Sequence, residues 1–262
     1  NLFVQALRHI SQSHTTVRLA AILAVALVSF LSFGEILGYG LTGCDTLSLI
    51  ETGKIESLMD LSYIFQSSLM EGTSFAETFK YYRPISTLSY AFDFALWGVE
   101  PFGYHLHNFI IHTLNGIMVW WLTRLISGRN SIALLAACLF VSHPALVETV
   151  PGIPRRQDLL ATAFTLAALI AHAKSTTSTM RSTMTIIGCV CLVLGVMTKE
   201  SAALIIPHML AFNYCFGERE PKRLVSAIRK TLPYLGTILP VLIWRSVILR
   251  GLGGTWRQIN DS

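Results

Sequence analysis

The chain has 262 residues, of which 52% are hydrophobic and 13% charged, about half the charged share of a soluble globular domain. Its formal charge of +5 comes from Lys and Arg residues set between apolar stretches, without a basic stripe of interleaved aromatics. That pattern excludes a nucleic-acid-binding domain and reads as a set of membrane-topology signals. The five cysteines form neither a disulfide framework nor a metal motif, since Cys138, Cys189, Cys191 and Cys215 fall in apolar segments and Cys44 stands in a loop.

In chain order, apolar runs at roughly 18–38, 105–124, 130–147, 158–173, 182–198, 201–216 and 231–249 predict about seven spanning helices of an all-α polytopic membrane bundle, several shorter than the ~20 residues of a full crossing. Residues 1–17 form a polar segment before the bundle, and no cleavage site follows the first run, which therefore reads as a retained anchor. The bundle domain is 18–250, with a long loop at 39–104, and 251–262 begins a further loop. A start at Asn1 and a polar end at 258–262 are read as those of a fragment.

With Arg8 and Arg18 in the cytoplasm, alternating loops place 124–129, 174–181 and the basic block Arg219, Lys222, Arg223, Arg229 and Lys230 on that same side. The 39–104 loop, richer in acids, falls outside. Pro84–Gly98 is apolar but short and contains Asp93; it predicts an interfacial or re-entrant helix, with a second near Leu58–Met70.

This topology gathers polar residues from at least five segments at the outer surface: Asp45, Arg83, His105, Glu148, Arg156, Asp158, Lys199, Glu200 and Arg245. Charges that are costly at membrane depth mark sites. Asp45 reads either as a general base for an acceptor hydroxyl or as an ordinary loop carboxylate capping a helix. His105, Asn108, His112 and Asn115 recur at helical spacing and form one polar stripe facing protein; His112 and Asn115 fit interhelical glue, and His105 fits substrate contact. Arg156 and Asp158 read as an ion pair or as a phosphate fork held by a carboxylate, and Lys199-Glu200 carries the same two readings. Arg245, with Arg250, fits either snorkelling or an anionic headgroup. No nucleotide loop, hydrolase triad or zinc motif is present.

The run Tyr82-Arg83-Pro84-Ile85, then Leu96-Trp97-Gly98 and Pro101-Phe102-Gly103-Tyr104-His105-Leu106 with Asn108, closely resembles a signature of the transmembrane and tetratricopeptide-repeat O-mannosyltransferases and their bacterial relatives. His143-Pro144 with Glu148, Arg156-x-Asp158-Leu159-Leu160 and Thr198-Lys199-Glu200 resemble three more of that family's motifs. Departures are Cys44 beside Asp45 where paired acids are frequent, Leu146 for a second histidine and Arg155 for a glycine.

The resemblance implies a GT-C membrane glycosyltransferase of the EC 2.4 class. It would use a polyprenyl-phosphate sugar as donor and act on a protein or glycan acceptor, at the lumenal or periplasmic face of the endoplasmic reticulum or bacterial inner membrane. Asp45 would be the catalytic base. Arg83, Arg156, Lys199 and Arg245 would hold the lipid phosphate, and His105, His143, Glu148, Asp158 and Glu200 would orient substrate. Tetratricopeptide repeats would follow downstream. No metal ligand set is expected, a divalent cation is left open, and no nucleic acid is expected. The alternative is a non-catalytic scaffold or lipid-binding module of the same architecture; a transporter fits less well, for want of paired broken-helix halves.

Overall fold

The computed structural model describes residues 15–41, 45–54, 58–69, 71–73, 80–176, 179–216 and 223–251. Cys44, Arg219, Lys222, most of 1–17 and nearly all of 251–262 lie outside the described residues. Among those residues there are helices and 3-10 turns and no strands.

The first helix, α1 (Thr15–Phe33), runs into a 3-10 turn at Gly34–Gly38. Ala21, Val25, Ser29 and Phe33 are buried at a spacing of four, while Leu23, Leu27 and Leu31 on other faces stay exposed. One narrow stripe packs on protein and the remaining apolar surface faces outward, as suits a helix solvated by lipid. Two short helices follow, α2 (Thr46–Thr52) and α3 (Leu58–Ile64).

Next come α4 (Pro84–Trp97) and α5 (Pro101–Ser127), each opened by a proline in its first turn. At 14 residues, α4 is about 21 Å long, short of the ~30 Å hydrocarbon core. It matches the expected interfacial or re-entrant helix in position. The second such helix is shorter than the expected 58–70, ending at Ile64.

The remaining helices are α6 (Asn130–Val141), α7 (Arg156–Ser175), α8 (Arg181–Thr198), α9 (Ile205–Phe216) and α10 (Arg223–Ile248). All seven apolar runs become helical, but among the described residues only α1 with its turn, α5, α8 and α10 are long and apolar enough to cross a membrane. Both α6 and α9 have 12 residues, and α7 carries Arg156, Asp158, His172 and Lys174 within its length. The run expected at 130–147 stops at Val141 because His143 precedes Pro144 and is held extended (φ −68°, ψ 129°). Conversely α10 begins at Arg223, ahead of the expected 231, since its basic first turns are helical too.

The helices pack on near neighbours in sequence, α5 with α6 and α7, α7 with α8, and α8 and α9 with α10, while α1 closes on α5 and α6. Two cores result. Ala21, Val25, Trp120, Ala133, Ala137 and Val141 join α1, α5 and α6; Ala168, Leu192, Val196, Met209, Tyr234 and Ile238 join α7 to α10.

The four members of the polar stripe of α5 are fully buried. His105 Nε2 lies 3.3 Å from the Gly40 carbonyl and His112 Nε2 3.0 Å from that of Val141. Asn108 Nδ2 donates to Val150 and Gly152, and Asn115 Nδ2 to Leu159. Most of these carbonyls sit at helix ends or in the loop between α6 and α7, where a backbone oxygen lacks an intrahelical partner. The glue expected of His112 and Asn115 is therefore joined by His105 and Asn108.

Candidate functional site

One end of the bundle collects the 82–83 segment, the 142–155 loop, the starts of α5 and α7, the 3-10 turn Glu200–Leu204 and the last turns of α10. The Tyr82-Arg83-Pro84 run places three side chains there for different reasons. Tyr82 is buried, its hydroxyl donating to the Phe65 carbonyl at 2.9 Å and accepting from Trp244 Nε1 at 3.1 Å. Pro84 starts α4, and Arg83 between them turns inward, 6% exposed.

The Arg83 guanidinium stacks 4.2 Å from the centre of the Tyr81 ring. Its Nη2 reaches Glu200 Oε1 at 3.1 Å and Oε2 at 3.2 Å, Nε reaches Oε2 at 3.3 Å, and Nη1 donates to Gln157 Oε1 at 2.8 Å. Arg245 Nη2 approaches the same carboxylate at 3.9 Å. Burial opposes ionisation of Glu200, but the hydrogen bonds and charge of Arg83, with Arg245 behind, outweigh it and hold the carboxyl below its usual range.

Beside this cluster Lys199 pairs with Asp158. Arg156 and Asp158 are not a pair: two residues apart on a helix, they point to different sides. Lys199 and Glu200 likewise each take a partner from another segment. Asp158, with Ser201 and His208, lines a cleft of about 310 Å³ whose other walls include Ala161, Leu166, Leu169, Leu204 and Ile205.

One residue away from Gln157, Arg156 is 1% exposed and fully engaged. It pairs with Asp93 of α4, donates through Nε to Asn108 Oδ1 at 2.8 Å and through Nη2 to the Tyr104 carbonyl at 2.8 Å, and lies over Tyr90 and Tyr104. Asp93, 0% exposed, also takes His107. A guanidinium so enclosed ties α4, α5 and α7 together. Asp93 and His107 were not among the sequence candidates; the signal for them was a carboxylate in an otherwise apolar helix and a fifth polar residue on α5.

The other candidates are spread around this core. Asp45 occupies the N-cap position of α2 but makes no side-chain capping bond, and its charge is felt at Tyr90, as are those of Arg83, Asp93 and Arg156. Close backbone approach sets that placement, since a Cβ at Gly53 would stand 2.8 Å from the Ala91 nitrogen of α4. His105 is buried against Gly40 and Tyr39. His143 accepts from the Ala145 amide at 3.2 Å and caps the Pro144–Leu146 turn, and Glu148 is exposed on the same loop. Leu146 packs with Phe33, Ile36, Val150 and Leu159, so the position of the missing second histidine serves as core. Gly103 lies directly under the Trp97 ring, where any Cβ would collide.

The opposite end is basic. Arg18 lies within electrostatic reach of Arg124 and Lys174, and Lys230 and Arg181 within reach of His172.

A family profile described as dolichyl-phosphate-mannose-protein mannosyltransferase matches residues 84–249. Among similar proteins are two named protein O-mannosyl-transferase TMTC3. The Mus musculus protein is 30% identical over 50% of this chain and 14% of its own length, and the Drosophila melanogaster protein 33% identical over 49% and 17%. Homo sapiens protein O-mannosyl-transferase TMTC2 is 27% identical over 65% of this chain and 21% of its own length. The chain thus spans less than a quarter of the length of these three relatives. No solved structure matches it. Over most of its helical bundle, from α4 to the end of α10, this chain belongs to the dolichyl-phosphate-mannose-protein mannosyltransferase family.

Proposed function

We propose that this chain is the catalytic membrane portion of a glycosyltransferase. It moves mannose or a similar hexose from a polyprenyl-phosphate carrier to a hydroxyl, that of a protein serine or threonine, at the lumenal or periplasmic face. The observation that carries this reading is the junction of charge and cleft. Among the described residues Arg83 and Arg245 meet Glu200 and Lys199 meets Asp158, which gathers three cations at one end of the bundle, and Asp158 opens onto the largely apolar cleft between α7 and α9. A lipid phosphate presents the complementary pair, an anion and an apolar tail. The relatives' names support mannose as the sugar and protein as the acceptor.

In this reading Asp45 takes the proton of the acceptor hydroxyl as its oxygen attacks the anomeric carbon. The bond to the lipid phosphate breaks, and the phosphate leaves as an anion stabilised by the cations. The unused capping role of Asp45 leaves its carboxylate available for this. Single displacement inverts the anomeric centre. Arg156 acts here as a positioning residue, fixing the start of α7 so that Gln157 and Asp158 meet Arg83 and Lys199. Glu200 keeps Arg83 and Arg245 together.

The test is transfer from a panel of radiolabelled polyprenyl-phosphate sugars by the purified full-length protein beside its Asp45→Asn variant. Transfer by the wild type with a loss of about 10²- to 10⁴-fold in the variant is expected. Wild-type protein that binds the lipids and transfers from none of them would overturn the reading in favour of a scaffold.

A further inference from the structure

The basic end of the bundle holds an arrangement that the transfer reaction does not use. Arg124, on the last turns of α5, is 3% exposed, and its side chain makes no ion pair or hydrogen bond among the described residues; its guanidinium lies 5.4 Å from the centre of the Trp120 ring. Lys174, at the end of α7, sits with Nζ 4.1 Å over the ring of Trp121. Arg18, exposed near the start of α1, acts electrostatically on both.

Three helices therefore bring three cations to one place. Like charges drawn together repel, and an arginine buried without a carboxylate is costly. A phosphate offsets both. The setting also says which phosphate: Val17, Leu19 and Trp121 beside these cations are 41%, 55% and 39% exposed. Tryptophans of this kind anchor membrane helices at the headgroup level. A free phosphate has no use for that apolar rim, whereas a phospholipid has an acyl chain to lay on it.

We propose that Arg18, Arg124 and Lys174, framed by Trp120 and Trp121, bind the headgroup of an anionic phospholipid in the leaflet at this end. The site is separate from the paired charges at the far end and does not depend on what they catalyse.

The experiment is native mass spectrometry of the full-length protein in detergent, titrated with dioleoylphosphatidylglycerol, with dioleoylphosphatidylcholine or with inorganic phosphate. Retention of phosphatidylglycerol alone is expected, about fivefold weaker for each of Arg18→Gln, Arg124→Gln and Lys174→Gln, and unchanged in Lys230→Gln, which removes a charge at the same end. Arg18 is exposed, so its variant carries the test even where loss of buried Arg124 impairs folding. Equal retention of phosphatidylcholine, phosphatidylglycerol binding unchanged in the variants, or displacement of the lipid by inorganic phosphate at matched concentration would each overturn the proposal.

Discussion

The two ends of this bundle handle charge in opposite ways. At one end Arg83, Arg156, Lys199 and Arg245 each meet a carboxylate, and those carboxylates come from distant segments: Asp93 for Arg156, Asp158 for Lys199, Glu200 for the other two. At the other end Arg124 and Lys174 lie over indole rings. Paired charges fix geometry, because each salt bridge ties two helices at a defined point. Stacking over a ring places a cation without spending a carboxylate on it, and the Arg124 side chain makes no ion pair or hydrogen bond among the described residues. The first arrangement suits a site that must hold a shape, the second a surface that meets lipid.

The largest expected effect comes from cutting the knot around Arg156. Arg156→Met leaves Asp93 buried with only His107, and Asp93→Ala leaves a buried guanidinium. Each is expected to cost about 3–5 kcal/mol, read as a large fall in Tm in detergent. Arg124→Met at the basic end removes only a contact of about 0.5–2 kcal/mol. A fall in Tm as large as that for Arg156→Met would erase the contrast.

A smaller effect is expected at Gly53, whose Cβ would press on the backbone of Tyr90 and Ala91. Gly53→Ala should cost about 1–3 kcal/mol and displace α2, so that transfer falls together with stability, although Asp45 itself is unchanged. Retained transfer with lowered Tm would detach the placement of Asp45 from that contact.

The smallest effect is in pH dependence. The Glu200 carboxyl is held below the ordinary value of 4.5 in the folded chain. Its stabilising contribution is complete above that value and is lost as pH falls through the lower folded value. Glu200→Gln should therefore flatten the acid limb of a Tm-against-pH curve and leave the neutral region nearly unchanged. An unaltered acid limb would remove Glu200 from the account of the paired end.

Much of this was legible in the residues. The short apolar stretch from Pro84 announced a helix too short to span, and the spacing of His105, Asn108, His112 and Asn115 announced one buried face. What was not legible was partnership. Read locally, Arg156 belongs with Asp158 and Lys199 with Glu200, yet helical geometry turns the first two apart, and the chain reverses between α8 and the turn after it. The true partner of Arg156, Asp93, lies in another helix and was visible only as an awkward acid in an apolar run. Likewise α7 looked like a span from its apolar count, while its buried polar side chains serve neighbouring helices.

The stripe on α5 also has a consequence in time. Synthesis runs from N- to C-terminus, so Asn108, His112 and Asn115 are made before Val141, Val150, Gly152 and Leu159, the carbonyls they bind. The donors are thus already in place when the segment between α6 and α7 arrives, and a backbone that could not stand bare in lipid finds its acceptors met on arrival. By this order α5 is a template for its successors, and a translation product ending before Arg156 would still carry the template, lacking the Leu159 carbonyl for Asn115 and the Arg156 donor for Asn108.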